Sequence, residues 1–153
     1  MTADARLEEL GLQLPPVPKA MGLYKPMMIV GNLVFTSGHV PLKSDGTLIT
    51  GCVGSEVDRD GGYAAARQSG LAMLATLLEH LGSLDRVRRV VKVLGMVNCT
   101  ADFTDHPSVV NGFSELFRDV FGEEVGIGAR SAVGVGSLPG GVTTEIEAVI
   151  EIE

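Results

Sequence analysis

The spacing of apolar residues changes period along this chain, and each period predicts an element. Met27–Val30 and Leu33–Thr36 are apolar runs separated by Gly31-Asn32, two residues that accept positive φ, so the segment predicts a tight β-hairpin. From about Gly62 to Leu81 the period lengthens, with Leu71, Leu74, Leu78 and Leu81 at three- and four-residue steps and Gly82 as the stop. Gly70 inside this helix costs about 1 kcal/mol against alanine, which points to close packing on the sheet. Val87 to Val97 is rich in β-branched residues and reads as a central strand. Pro107 to Phe121 carries an apolar stripe of Val109, Val110, Phe113, Leu116, Phe117, Val120 and Phe121, closed by Gly122. Arg130–Leu138 and Thr143–Ile152 alternate as strands and read as a hairpin joined by Pro139-Gly140-Gly141. Ahead of these, Ala3 to Leu10 forms a short helix ended by Gly11, followed by the extended Pro15–Pro18. Residues 1–18 are therefore expected as an arm on a single domain, residues 19–153.

The order β-β-α-β-α-β-β predicts an α+β fold in which a mixed sheet carries two helices on one face. Alternation then sorts the last two strands. Val133, Val135, Ile146, Ala148, Ile150 and Ile152 are expected beneath the helices. The opposite face takes Arg130, Ala132, Gly134 and Gly136, with Thr143, Glu145, Glu147 and Val149 alongside. That face meets either water or another subunit. An arginine fork matches a carboxylate in a bidentate way, and small neighbours leave room for a ligand. Spacing alone leaves two readings of Arg130: a cross-strand salt bridge to Glu145 or Glu147, or an anchor for a bound carboxylate.

Composition narrows the partners. The chain has 153 residues, 45% hydrophobic and 20% charged, enough for one domain with a real core. Its net charge is −7 and its basic residues do not cluster beyond Arg86, Arg88 and Arg89, which argues against nucleic-acid binding. A small anionic metabolite needs only one well-placed cation. Cys52 and Cys99 follow no metal or redox spacing and read as free thiols in a reducing compartment. His39, His80 and His106 show no ligand spacing and are expected as surface or core residues. The acidic first ten residues lack a signal-peptide h-region, and no apolar run reaches the ~20 residues of a membrane span, so the expected location is cytoplasmic, away from membranes.

Several short motifs fall in a recognisable order: Gly31-Asn32, Thr36-Ser37-Gly38, Arg67-Gln68, Asn111 with Phe113 and Phe117, Ala129-Arg130-Ser131, Leu138-Pro139 and Glu145-Ile146-Glu147. In this ordered set, from about Tyr24 to Glu151, the chain resembles the reactive-intermediate deaminase (Rid, or YjgF) family. The resemblance implies a chorismate-mutase-like fold assembled as a homotrimer, a trimeric barrel of sheets with ligand sites in clefts between subunits. It implies hydrolysis of reactive enamines and imines of the 2-aminoacrylate/2-iminopropionate type to 2-keto acids and ammonia, without a metal or organic cofactor. By position, Arg130 would clamp the substrate carboxylate and Glu145 would position the attacking water. Tyr24 would line the cleft, Asn111 would contact substrate from the second helix, and Gly38 and Ala132 would offer backbone groups. Ala132 stands where many relatives carry cysteine, so no thiol chemistry is expected. His39 stands where many have glutamine, the Gly122–Gly128 segment is longer and the N-terminal arm is extra. The alternative is a non-catalytic trimer that binds small carboxylates as a sensor or regulator; a ribonuclease fits the acidic composition poorly.

Overall fold

The computed structural model describes residues 1–153. Five strands, β1 (Met27–Val30), β2 (Leu33–Thr36), β3 (Val87–Asn98), β4 (Ala129–Val135) and β5 (Thr144–Ile152), form one sheet in the order β1-β2-β5-β3-β4. Every pairing is antiparallel except β3–β4. The long helices α2 (Arg59–Leu81) and α3 (His106–Phe121) cover one face, preceded by α1 (Ala3–Glu9), and the single turn α4 (Glu123–Gly126) leads into β4. The predicted order of strands and long helices holds, and the fold is a chorismate-mutase-like α+β fold.

Local signals placed these elements well. Gly31 turns the first hairpin at φ +62°, but Asn32 keeps a negative φ, the pattern of a turn with glycine in its first central position. Asp58 caps α2 by accepting from the Gly61 N–H at 2.7 Å, so that helix starts three residues before the predicted position. All seven stripe residues of α3 are buried, and Phe113 stacks on Phe117 with ring centroids 4.1 Å apart. Gly70 packs against α3 and not the sheet: a Cβ there would lie 2.8 Å from Leu116 Cδ2 and 3.2 Å from Phe113 Cδ2. Helix α2 is buried continuously from Ser69 to Leu77, and the segment after β2 lies against it. Gln68 Nε2 holds that loop through the Leu42 carbonyl at 2.6 Å.

The closing hairpin is where the structure departs from expectation. Strand β3 lies between β4 and β5, pairing with both. The reason is the connection: β3, α3 and β4 form a strand–helix–strand unit, whose helix lies on the sheet and returns the next strand parallel to the first. The glycine-rich turn after β4 specifies only that the chain reverses. It does not specify which strand the chain comes to lie beside.

This topology inverts the predicted faces of β4. Arg130 is in register with Val93, which is buried beneath the helices, and in a parallel pair such residues share a face. Arg130, Ala132 and Gly134 therefore point to the helix side, whereas Val133, at 40% exposure, lies on the open face. On β5 the expected Ile146, Ala148, Ile150 and Ile152 are all buried. Glu145 and Glu147 remain on the open face, opposite Met96 and Leu94. Arg130 and Glu145 thus occupy opposite faces of the sheet, and the salt bridge between them does not form. The open face also presents Met28 and Phe35 as adjacent cross-strand partners, 49% and 44% exposed.

Candidate functional site

On the helix side, Arg130 sits at the edge of the sheet, where β4 passes α3. Its Nη1 donates to Asn111 Oδ1 at 2.8 Å and to Ser114 Oγ at 3.1 Å. Asn111 and Ser114 are three residues apart and so share one helix face, which turns them to the arginine together. Asn111 is consequently half-buried and bonded. The guanidinium forms no ion pair. Two neutral acceptors fix one nitrogen and leave the remaining donors without an anion. Partial burial lowers the arginine's pKa from its ordinary value, yet a guanidinium titrates so far above neutrality that it stays charged. Beside it opens a groove of about 360 Å³, bordered by Ser114, Glu115, Arg118 and Ile127. Glu115 is itself held by the Tyr63 hydroxyl.

Glu145 lies in a different cavity, of about 750 Å³, with Tyr24 and Gly38. Burial, and then the like charge of Glu147, push the Glu145 carboxyl above its ordinary value of 4.5. The carboxylate lies against the main chain at Gly38, where a Cβ would come within 2.7 Å of Glu145 Cδ. A side chain there would push the Glu145 carboxylate from its place. Two backbone bonds hold this approach: His39 N–H to Ile146 O at 2.7 Å, and Ile146 N–H to His39 O at 3.0 Å. The Tyr24 hydroxyl accepts from the Met21 N–H at 3.1 Å and so fixes the segment that follows the arm beside the cavity.

The six predicted site residues therefore divide. Arg130 and Asn111 meet in the groove, and Tyr24, Gly38 and Glu145 meet in the cavity. Ala132 borders neither, packing its methyl against the core; as part of edge strand β4, its neighbourhood still has backbone groups unpaired by the sheet. Sequence reasoning missed Ser114, although its three-residue spacing from Asn111 was a usable signal. His39, expected as a surface or core residue, lies in the core. The ring is almost wholly buried, with Nδ1 2.8 Å from Ser37 O and Nε2 2.8 Å from Thr76 Oγ1. A carbonyl only accepts, so Nδ1 carries the proton and Nε2 accepts from the Thr76 hydroxyl. Burial lowers this histidine's pKa, opposed in part by the Ser37 bond.

Residues 4–138 match the family described as "YjgF/chorismate_mutase-like, putative endoribonuclease". Protein TCP17 of Trypanosoma cruzi is 40% identical over 148 residues, covering 97% of this chain and 92% of that protein. A 2-iminobutanoate/2-iminopropanoate deaminase of Dermatophagoides farinae is 27% identical over 143 residues, covering 93% and 95%. The crystal structure of a protein of unknown function from Agrobacterium tumefaciens superposes with a TM-score of 0.89 at 39% identity, covering 99% of this chain and 94% of that one. That superposition includes the arm, which is thus shared with this neighbour. With the match reaching from α1 through β4, and the backbone agreeing over nearly every residue, the chain belongs to the reactive-intermediate deaminase (Rid, or YjgF) family.

Proposed function

We propose that this protein hydrolyses 2-imino acids and their enamine tautomers to 2-keto acids and ammonia, in a cleft formed between subunits of a homotrimer. The observation that carries this reading is an arginine held in place by Asn111 and Ser114 with no anion of its own, while a carboxyl with a raised pKa lies in a separate cavity on the other sheet face. One subunit holds the two halves apart. A neighbour docked on the open face would bring one subunit's groove to the next subunit's cavity, and the exposed Met28, Phe35 and Val133 on that face supply apolar surface suited to that burial.

In the combined site Arg130 clamps the substrate carboxylate and presents the imine carbon to a water on Glu145. The water oxygen bonds to that carbon as Glu145 takes the water's proton and the C=N electron pair moves to nitrogen, which is protonated from solvent. Glu145 then returns its proton to the nitrogen of the carbinolamine. The hydroxyl proton passes to solvent as the C=O bond forms and the C–N pair leaves with nitrogen, releasing ammonia. An imine carbon is already electrophilic, so orientation and a positioned water supply most of the acceleration. The endoribonuclease part of the family description suits this chain less well: Arg59, Arg88, Arg89 and Arg118 all pair with carboxylates, and the net charge is −7.

The test is to generate 2-aminoacrylate in situ with a serine or threonine dehydratase and follow the decay of the imine. The protein is expected to accelerate decay, and Arg130→Ala to lose at least about 100-fold of kcat/KM, as for a lost charge-assisted clamp. No acceleration, with Arg130-dependent binding of carboxylates, would instead indicate a sensor or regulator. Full activity in Arg130→Ala would remove the proposed site.

A further inference from the structure

Beyond Thr36 the chain stays beside β5 but falls out of step with it. Phe35 pairs with Val149 and His39 with Ile146, so four steps on one side meet three on the other. The extra residue makes a β-bulge, a feature that re-aims side chains. Without it, alternation would send His39 to the open face with Phe35. With it, the imidazole turns to the helix side and reaches Thr76, while the Gly38 main chain meets the Glu145 carboxylate. At the break in the ladder, Thr36 Oγ1 accepts the Ala148 N–H at 3.0 Å.

The His39 ring is built into this bulge. Nδ1 donates back across it to Ser37 O at 2.8 Å, and Nε2 accepts from the Thr76 hydroxyl on α2 at 2.8 Å. Both partners are themselves fastened. The Ser37 N–H donates to Pro26 O at 2.9 Å, and its hydroxyl donates to Lys25 O at 2.5 Å, next to Tyr24. Thr76 is fully buried. The ring therefore ties the cavity wall at Gly38, and the chain beside Tyr24, to a buried stretch of α2. Without that tie, the two backbone bonds between His39 and Ile146 hold the wall from one side only.

We infer that His39 is a positioning residue for Glu145: its ring clasps the bulge and so holds the Gly38 main chain against the carboxylate. The clasp acts on Glu145 whatever the cavity binds; its consequence for turnover rests on the imine-hydrolase reading. Glutamine offers the same pair of groups, an N–H donor and an acceptor, and can serve as the clasp. Leucine fills similar space and offers neither. Loss of the clasp lets the main chain move off the carboxylate and water reach it, which lowers the Glu145 pKa toward its ordinary value. The titratable groups around Glu145 are Glu147 on its own strand and Lys19, Tyr24 and His39 along the cavity. A proton gained by His39 would itself lower the Glu145 value, so removing the imidazole acts through charge in the opposite sense to releasing the bulge.

The test follows the Glu145 side-chain carboxyl by carbon-13 NMR against pH in the full-length protein, with the resonance assigned by its absence in Glu145→Gln. His39→Leu is expected to lower its apparent pKa by at least about half a unit. Thr76→Val removes only the far anchor at nearly constant shape; it should lower the value too, and does not depend on His39→Leu folding. His39→Gln should leave it at or above the wild-type value. In the imine assay at pH 7.5, His39→Leu should reduce kcat at least about tenfold with KM changed less than about threefold, and His39→Gln should keep most of the wild-type kcat. An unmoved Glu145 titration in Thr76→Val and His39→Leu, an equal fall in His39→Gln, or a moved titration with unchanged kcat overturns the inference and leaves the imine-hydrolase reading standing. A titration that moves as expected in a protein that hydrolyses no imine retains the clasp and overturns that reading instead.

Discussion

At the scale of single residues, burial shifts two groups of the Glu145 cavity in opposite directions. The Glu145 carboxyl is pushed above 4.5 by burial and by Glu147. In its proposed role as base it must be ionised, so kcat/KM should fall as pH drops through an apparent pKa above 4.5. Glu147→Gln removes the like charge and should move that acid limb to lower pH, though not to the ordinary value, because burial remains the larger cause. A pH–rate profile of both proteins checks this; an unmoved limb denies that the two glutamates are coupled. His39 shifts the other way. Its pKa in the fold lies below the ordinary 6.5, so below about that pH the unfolded chain takes up a proton that the folded chain refuses. Stability should be insensitive to this residue above pH 6.5 and should fall as pH drops below it. Denaturant titrations of the wild type and His39→Gln at pH 7.5 and 5.5 isolate the effect as a difference. The difference should shrink or reverse at the lower pH. Neither residue's environment was visible in the chain. The Glu145 carboxyl meets the Gly38 main chain, 107 positions away in sequence (145 − 38), and His39 meets Thr76 across an interface that no local pattern describes.

At the scale of elements, the two long helices are joined by glycines that permit close approach. Gly70 faces flexible side-chain ends of α3, whereas a Cβ at Gly112 would strike the backbone carbonyl of Tyr63 on α2. Leucine and phenylalanine ends can shift by rotation; a helix carbonyl cannot. Gly70→Ala should therefore cost about 1 kcal/mol or less after its gain in helix propensity, and Gly112→Ala about 2–3 kcal/mol. Thermal or urea unfolding gives the order, and equal losses would show that the helices can separate freely. The elements themselves were largely legible. The α3 stripe was correct at all seven positions, because an amphipathic helix records its buried face in its own period. Helix α2 was harder to read, since burial on nearly every side leaves no polar face to mark the sheet side.

At the scale of the whole molecule, the proposed site requires a neighbour on the open sheet face, because Arg130 and Glu145 lie on opposite faces of one sheet. If trimer formation buries Phe35 and Val133, then Phe35→Asp or Val133→Asp should yield folded monomers without imine-hydrolase activity. Sedimentation velocity, circular dichroism and turnover together test this. A monomer with wild-type activity would mean that the groove and cavity work independently. Mixing Arg130→Ala with Glu145→Gln gives the complementary result: trimers containing both variants regain some intact sites only if each site draws on two subunits.

The sequence by itself determined the periods, the turns and the order of the elements, because each of these is written in neighbouring residues. Its ordered motifs also carried the family, and with it Arg130 and Glu145 as the residues to examine. The partner of β4 was decided only in three dimensions. Strand alternation gives two faces but not which face is which, and that choice passed to the β3–α3–β4 crossover. Once β3 took the place between β4 and β5, Arg130 turned toward Asn111 and Ser114, and Glu145 stayed on the far side of the sheet. Covalent neighbours fix local geometry; only packing decides which distant surfaces meet.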